Sequence, residues 1–135
     1  MSRAKQLVDR LVDLLLDKGV PLMLLASNIK ELNYEQITMT KTENSIVVHM
    51  QCRDLAYPET VLTFRYTYNL EGCLIRREQL TPTGDEILWD RYEAIREILT
   101  DLAACSDASI EQETRRAIAE VATPAERETL LSFVA

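Results

Sequence analysis

The sequence is poor in the residues that mark linkers, cross-links and metal sites. Its 135 residues include three glycines, four prolines, three cysteines and one histidine. With so little glycine and proline, we expect neither a flexible linker nor a low-complexity segment. The three cysteines have no CxxC spacing, and their odd number favours reduced thiols over a disulfide framework. Reduced thiols are typical of the cytoplasm, which is the location that we expect.

Long apolar runs are missing as well. The longest run, Val20 to Ala26, is far shorter than the roughly 20 residues that cross a bilayer. Charged side chains interrupt the first eighteen residues, so we expect no secretory signal peptide there. The sequence therefore indicates a protein without a membrane-spanning helix.

Basic charge is scarce in the C-terminal part of the chain. Residues 1–83 carry 10 basic and 10 acidic side chains, whereas residues 84–135 carry 5 basic and 12 acidic ones. The whole net charge of −7 therefore lies in residues 84–135. Such a field repels phosphate backbones, so we expect no binding to nucleic acid.

Motifs for chemistry are absent from the sequence. A zinc site or a Ser-His-Asp triad would have to use His49, which has no second histidine or cysteine at ligand spacing. The three glycines are isolated, so no phosphate-binding loop is present. The carboxylates of residues 84–135 alternate with arginines as on a solvated helix face. We therefore expect no catalytic residue, no cofactor and no metal.

The sequence does contain a run of four predicted β-strands, residues 36–80, and the first two form a clear hairpin. Apolar and polar residues alternate on both sides of a predicted two-residue turn, Glu43-Asn44. This turn pairs Met39 with Val48 and Ile37 with Met50, which places both apolar pairs on one face of the sheet.

The second predicted hairpin, residues 60–80, has two possible registers. A type I turn over residues 69–72 with a left-handed Gly72 pairs Tyr68 with Leu74. The alternative is a two-residue Glu71-Gly72 turn, which pairs Arg65 with Glu78. The first register brings more apolar residues together, and we favour it for that reason.

Helical patterns flank the strands. Residues 2–18 predict a helix ending before Gly19, and residues 22–32 fit either a short helix or a buried strand, of which we favour the helix. Capping boxes at residues 83–86, 109–112 and 123–126 predict three further helices. The first of these carries an apolar seam at Leu88, Tyr92, Ile95, Leu99 and Leu102. The predicted fold is one α+β domain, residues 1–135, with a helical segment 1–33, an antiparallel sheet 36–80 and an acidic helical part 84–135 packed on one face.

Three arginines of the second hairpin are the candidate binding residues. In the favoured register Arg65 faces Arg77, and Tyr66 faces Arg76. Like charges opposite each other are unfavourable unless carboxylates such as Glu78 compensate them. The functional hypothesis is a small basic patch that binds an acidic peptide or another anion.

The small, acidic chain and its opening helix, which ends Leu14-Leu15-Leu16-Asp17-Lys18-Gly19, suggest a resemblance. In these features the chain resembles the secretion chaperones of type III systems, which dimerise and hold partner segments in extended form. The resemblance covers the first twenty residues and the composition, and it implies a chaperone-like factor. The sheet departs from that family, which interrupts its strands with a helix.

Two functions are compatible with these patterns. The first is a non-catalytic protein-interaction module, an adaptor, chaperone-like or regulatory factor, and the absence of catalytic motifs favours it. The alternative is a small-ligand-binding or enzymatic α+β domain whose pocket is lined by aromatic residues such as Phe64, Tyr66, Tyr68 and Trp89. We also predict a homodimer through the seam or the final helix, with Trp89, Tyr92 and Phe133 as candidate interface residues.

Overall fold

The structure is a computed structural model that describes residues 2–105 and 108–134. It contains helices and one antiparallel sheet, which confirms the α+β class. The chain divides into two compact units. The helical unit comprises Met1–Asp17 and Tyr92–Ala135, and the sheet unit comprises Lys18–Arg91. The prediction of a single domain over 1–135 stays a prediction.

The helical unit brings the two ends of the chain together. Ser2 caps its first helix, since its hydroxyl accepts a hydrogen bond from the Lys5 amide at 3.1 Å. The helices are α1 (Arg3–Leu16), α3 (Arg91–Ala103), α4 (Ala108–Val121) and α5 (Pro124–Ser132). Residues four apart on α1 form an inward stripe and lie in one apolar core with α3, α4 and α5: Leu7, Leu11, Leu15, Ile95, Ile98, Leu99, Leu102, Ile110, Ile118, Ala122 and Leu130.

The sheet unit is a five-stranded meander preceded by a short helix. Helix α2 (Leu22–Ser27) continues into a 3-10 turn, Asn28–Lys30, so the helical alternative for residues 22–32 is the one observed. The strands follow in chain order, each antiparallel to the next: β1 (Tyr34–Lys41), β2 (Ser45–Arg53), β3 (Val61–Asn69), β4 (Leu74–Thr81) and β5 (Gly84–Asp90).

The first hairpin has the predicted register. Ile37 lies opposite Met50, and Met39 lies opposite Val48. The Thr42 amide donates to the Ser45 carbonyl at 2.8 Å, which closes the two-residue turn. The apolar pattern and the turn chemistry both favour this pairing, and the structure confirms it.

The second hairpin combines the two predicted registers. Gly72 has a φ of +85°, its amide donates to the Asn69 carbonyl at 3.1 Å, and Tyr68 pairs with Leu74 as favoured. A β-bulge then shifts the pairing by one residue, so that Arg65 pairs with Glu78. The predicted pairing of Arg65 with Arg77 is therefore wrong.

Residues 84–90 form a fifth strand, and the helix predicted to begin there is wrong over this segment. A tight turn at residues 82–83 returns the chain, so that Gly84 pairs with Thr81 and Trp89 with Arg77. Non-local pairing with β4 outweighs the local capping signal, because it completes the backbone hydrogen bonds of that strand. The helical part of the seam therefore begins only at Arg91.

The segment between α1 and α2 is anchored to the sheet. The Leu74 amide donates to the Lys18 carbonyl at 2.9 Å, and the Tyr68 hydroxyl donates to the Val20 carbonyl at 2.6 Å. Gly19 has a φ of +76°, and a Cβ there would lie 2.6 Å from Leu74 Cβ. Only glycine fits this position, because both the conformation and the space exclude a side chain.

The sheet has one apolar face, and α2 covers part of it. Leu25 of α2 packs in one cluster with Val48, Met50, Tyr68 and Leu74. The burial of this face is most complete on β2. Val48 and Met50 are 0% and 2% exposed, whereas Met39 on the edge strand β1 is 44% exposed. An edge strand has a neighbour on one side only, so its side chains are covered less.

We predict that Met50→Ala lowers the free energy of unfolding by about 2–5 kcal/mol, because it leaves a cavity in the core of the sheet unit. Met39→Ala is the matched control, since it makes the same change on the same face at an exposed position. It should cost less than about 1 kcal/mol. Urea titration followed by circular dichroism measures both. Equal losses for the two variants would contradict the burial of Met50.

Candidate functional site

The face of the sheet opposite the apolar cluster carries a chain of ion pairs, and we call it the polar face. The register places His49, Arg65 and Glu78 side by side on β2, β3 and β4. One row further along, Arg76 of β4 lies opposite Asp90 of β5. The sheet therefore aligns arginines and carboxylates on neighbouring strands, where opposite charges stabilise the pairing.

Arg65 binds two carboxylates. Its Nε and Nη2 donate to the two oxygens of Glu78 at 3.0 and 2.8 Å, and Nη2 also donates to Asp85 Oδ2 at 3.0 Å. The hydrogen bonds from Arg65 hold the pKa of Glu78 below its ordinary value, although burial acts in the opposite direction. The hydrogen bonds that Arg65 donates to Glu78 likewise raise the pKa of Arg65. This two-bonded geometry is the strongest form of an arginine–carboxylate pair.

Arg76 is neutralised in the same way on the same face. Its Nε donates to Asp90 Oδ2 at 2.8 Å, and the Asp90 side chain is only 8% exposed. The arginines Arg65 and Arg76 therefore share the polar face, and each already contacts a carboxylate of β5. These ion pairs stabilise the pairing of β5 with the sheet.

Arg77 lies on the apolar face, apart from the other two arginines. In the register it sits between Tyr66 of β3 and Trp89 of β5. Its side chain is partly buried, and its Nε is buried without a hydrogen-bond partner. The three arginines therefore do not form one patch. Whether any of them binds an acidic partner stays a prediction.

The three candidate interface residues lie in both units. Trp89 belongs to β5 and packs against the apolar cluster of the sheet unit. Tyr92 and Phe133 belong to the helical unit, where their rings meet edge to face with centroids 6.4 Å apart. The guanidinium of Arg96 lies 4.3 Å above the Phe133 ring, within the range of a cation–π contact. Tyr92 and Phe133 thus attach the end of α5 to α3.

A surface cavity of about 540 Å³ lies along α3. Its lining is charged, and Arg96 donates to Glu93 across it at 3.3 Å. The lining residues are Glu93, Arg96, Glu97, Thr100 and Asp101. Among the residues that the structure describes, no hydrophobic or aromatic side chain lines this cavity, whereas small-molecule sites are generally lined by such side chains.

Metal ligands, membrane spans and known relatives give no further assignment. Among residues 2–105 and 108–134, no group of three histidine, cysteine or acidic side chains could hold a metal ion. No helix in this part of the chain is long and apolar enough to cross a membrane. Comparison with protein-family models, curated proteins and solved structures gave no match.

Sequence reasoning identified the arginines of the polar face but not all of their partners. The sequence predicts Glu78 as a compensating carboxylate, but it places Asp85 and Asp90 in the helix predicted from residues 83–86. The alternative register contained the correct signal, since it pairs Arg65 with Glu78 directly. Pro82 followed by Gly84 was a second signal, because proline and glycine at this spacing are typical of a tight turn.

We predict that Glu78 makes stability depend on pH. Its pKa in the folded protein lies below the ordinary value of 4.5, so its contribution is present above pH 4.5 and is lost as pH falls. Glu78→Gln should lower the free energy of unfolding by about 1–3 kcal/mol at neutral pH. The difference from the wild type should shrink below about pH 4.5.

Urea unfolding at several pH values measures this dependence, and Glu86→Gln is the control. Glu86 is an exposed carboxylate of β5 that makes no ion pair with any residue the structure describes. Its substitution should leave the pH profile of stability unchanged. A Glu78→Gln profile parallel to that of the wild type at every pH would contradict the role of the Arg65 pair.

Proposed function

We propose that the chain is a non-catalytic protein-interaction module, an adaptor, chaperone-like or regulatory factor. The observation that supports it is an apolar strip on residues 20–32, which we call the 20–32 strip. Its members and their exposed fractions are Val20 (40%), Met23 (82%), Leu24 (60%), Ile29 (46%) and Leu32 (104%).

The strip makes α2 apolar on both of its sides. Leu22 and Leu25 pack against the sheet, while Met23 and Leu24 point to solvent. A helix that is apolar all round is normally buried on all sides. Exposed apolar surface of this kind on a soluble protein marks an interaction site, and methionine adapts well to varied partners.

The location also suits a binding surface. Hydrogen bonds from Leu74 and Tyr68 hold the start of the segment, at Lys18 and Val20, against the sheet. The strip is therefore presented on an anchored backbone, and less conformational entropy is lost when a partner binds. We propose a protein partner in the cytoplasm, since the cysteines are free and the net charge disfavours nucleic acid.

The pocket alternative has less support. Tyr68 is fully buried, and its hydroxyl is already bonded to Val20. Phe64 and Tyr66 pack with Leu25 in the apolar cluster. These contacts are what a core aromatic residue makes, and burial raises the pKa of Tyr68 to about 12, so its hydroxyl stays protonated.

Self-association through the α3 seam stays part of the proposal but involves less free surface than the sequence suggested. Ile95, Leu99 and Leu102 already lie in the core of the helical unit. Leu88, at the start of the seam, is 40% exposed on β5. A homodimer is thus one way to cover apolar surface, and the 20–32 strip offers more of it.

We predict that Leu24→Lys abolishes partner binding without unfolding the chain. Leu24 is exposed, so the substitution should change the free energy of unfolding by no more than about 0.5 kcal/mol. Leu70→Lys is the matched control, an equal change at an exposed leucine on the tip of the second hairpin. Affinity capture from a native cell extract, quantified by mass spectrometry, measures binding.

We expect the wild type and Leu70→Lys to capture proteins that Leu24→Lys does not capture. Identical capture by all three baits would contradict a role for the strip. The pocket alternative predicts instead that small molecules raise the melting temperature of the wild type and of Leu24→Lys equally.

A further inference from the structure

Arg77 of β4 differs in its contacts from the other arginines of the sheet. Among the residues that the structure describes, none forms a hydrogen bond or ion pair with its guanidinium, and its Nε is buried. A buried donor without an acceptor destabilises the folded protein. Native proteins leave few such groups, and an unassigned ion or ligand is one explanation for them.

The other arginines of the sheet show how unusual this is. Arg65, Arg76 and Arg53 each contact a carboxylate, on Glu78, Asp90 and Glu35. Arg127 of the helical unit also has a buried Nε without a partner, but its Nη2 donates to the Ala122 carbonyl at 3.2 Å. Arg77 thus combines a formal charge and partial burial with no acceptor among residues 2–105 and 108–134.

The register surroundings of Arg77 include two aromatic residues and, opposite Gln79, the exposed carboxylate of Glu86, which forms no ion pair with any residue that the structure describes. Tyr66 and Trp89 are its register neighbours on β3 and β5, so an aromatic residue lies on each side of Arg77 in the sheet. Gln79, two residues further along β4 on the same face, is neutral. The carboxylates that neutralise the sheet, on Glu78, Asp85 and Asp90, serve arginines of the polar face.

We infer that Arg77 binds a carboxylate group supplied by a ligand from outside the chain. The guanidinium presents N–H donors in a planar fork that matches the two oxygens of a carboxylate. The flanking rings favour an apolar or aromatic group next to that carboxylate, because they offer flat apolar surface. Arg77 as a whole residue is only partly buried, so part of its side chain faces solvent.

This site is independent of the 20–32 strip. It adds a chemical class of ligand that the proposed interaction module does not require. Loss of binding at Arg77 would leave the Leu24→Lys experiment unaffected, and the reverse also holds. The two ideas can therefore fail separately.

The test uses Trp89, the only tryptophan in the chain, as a reporter next to Arg77. Sodium benzoate is the probe, because it joins a carboxylate to a flat apolar ring. Benzamide is the neutral probe of similar shape. Benzoate should change Trp89 fluorescence saturably, and benzamide should not. A change that is linear in benzoate, or equal with benzamide, would overturn the inference.

Two variants separate a site from general electrostatics. Arg77→Gln and Arg76→Gln remove the same charge from adjacent residues, but Arg76 lies on the polar face. Arg77→Gln should weaken benzoate binding about ten-fold or more, the loss expected when charged hydrogen bonds are removed. Arg76→Gln should bind within about two-fold of the wild type. Equal weakening by both variants would overturn the site.

A measurement on the wild type avoids any dependence on variant folding. Titration with benzoate should shift the Nε–H resonance of Arg77 in a nitrogen-15 spectrum and leave that of Arg65 in place. A shift of Arg65 alone, or no shift, would overturn the inference.

The source of the carboxylate is distinguished with a third probe, an acetylated and amidated peptide with one glutamate among apolar residues. Binding of the peptide that is ten-fold tighter than that of benzoate supports a carboxylate on a partner protein. Equal or weaker binding, with saturable benzoate binding retained, supports a free small carboxylate.

Discussion

The hydrogen bond from the buried Tyr68 hydroxyl to the Val20 carbonyl is the interaction on which the sheet unit depends most. Tyr68 is fully buried in the centre of the apolar face, so its hydroxyl needs an acceptor within the protein. The Val20 carbonyl supplies it and so fixes the chain just before α2. Leu74, the register partner of Tyr68, binds Lys18 and packs under Gly19. The position of α2, and with it the 20–32 strip, follows from these contacts.

The second hairpin shows how far sequence reasoning reaches. The turn residues Asn69 and Gly72 predicted the pairing of Tyr68 with Leu74 correctly, because turn chemistry is local. The pattern of apolar residues could not show the bulge next to Tyr68, since a bulge adds a residue without changing composition. The bulge replaces the like-charged pair Arg65–Arg77 with the ion pair Arg65–Glu78. The ion pair of Arg65 with Glu78 therefore forms on one side of the bulge, and the pairing of Tyr68 with Leu74 that the turn favours forms on the other.

The fifth strand was missed for a different reason. Residues 83–86 have the spacing of a capping box, and the apolar residues that follow fit a helical seam through Leu102. The predicted helix is observed only from Arg91, where α3 begins. Before that point Asp85 and Asp90 bind Arg65 and Arg76, which lie 20 and 14 residues away along the chain. Partners at such separations decide between helix and strand, and a reading of local periodicity does not include them.

The same pairing decides what the three arginines can do. In the sequence Arg65, Arg76 and Arg77 are equivalent, and their proximity suggests one basic patch. In the fold the alternation of a strand sends Arg76 and Arg77 to opposite faces, because successive side chains point in opposite directions. Asp85 and Asp90 of β5 bind the arginines of the polar face, whereas Glu86 of β5 lies opposite Gln79 on the other face and binds no residue that the structure describes. The charge available to an outside anion is thus set by strand geometry rather than by the number of arginines.

The sheet unit has 8 basic and 10 acidic residues, a net charge of only −2 against −5 for the rest of the chain. An anion that approaches Arg77 therefore meets the less acidic part of the molecule, where a single unpaired guanidinium can outweigh the long-range repulsion, since salt screens charges beyond about 8 Å.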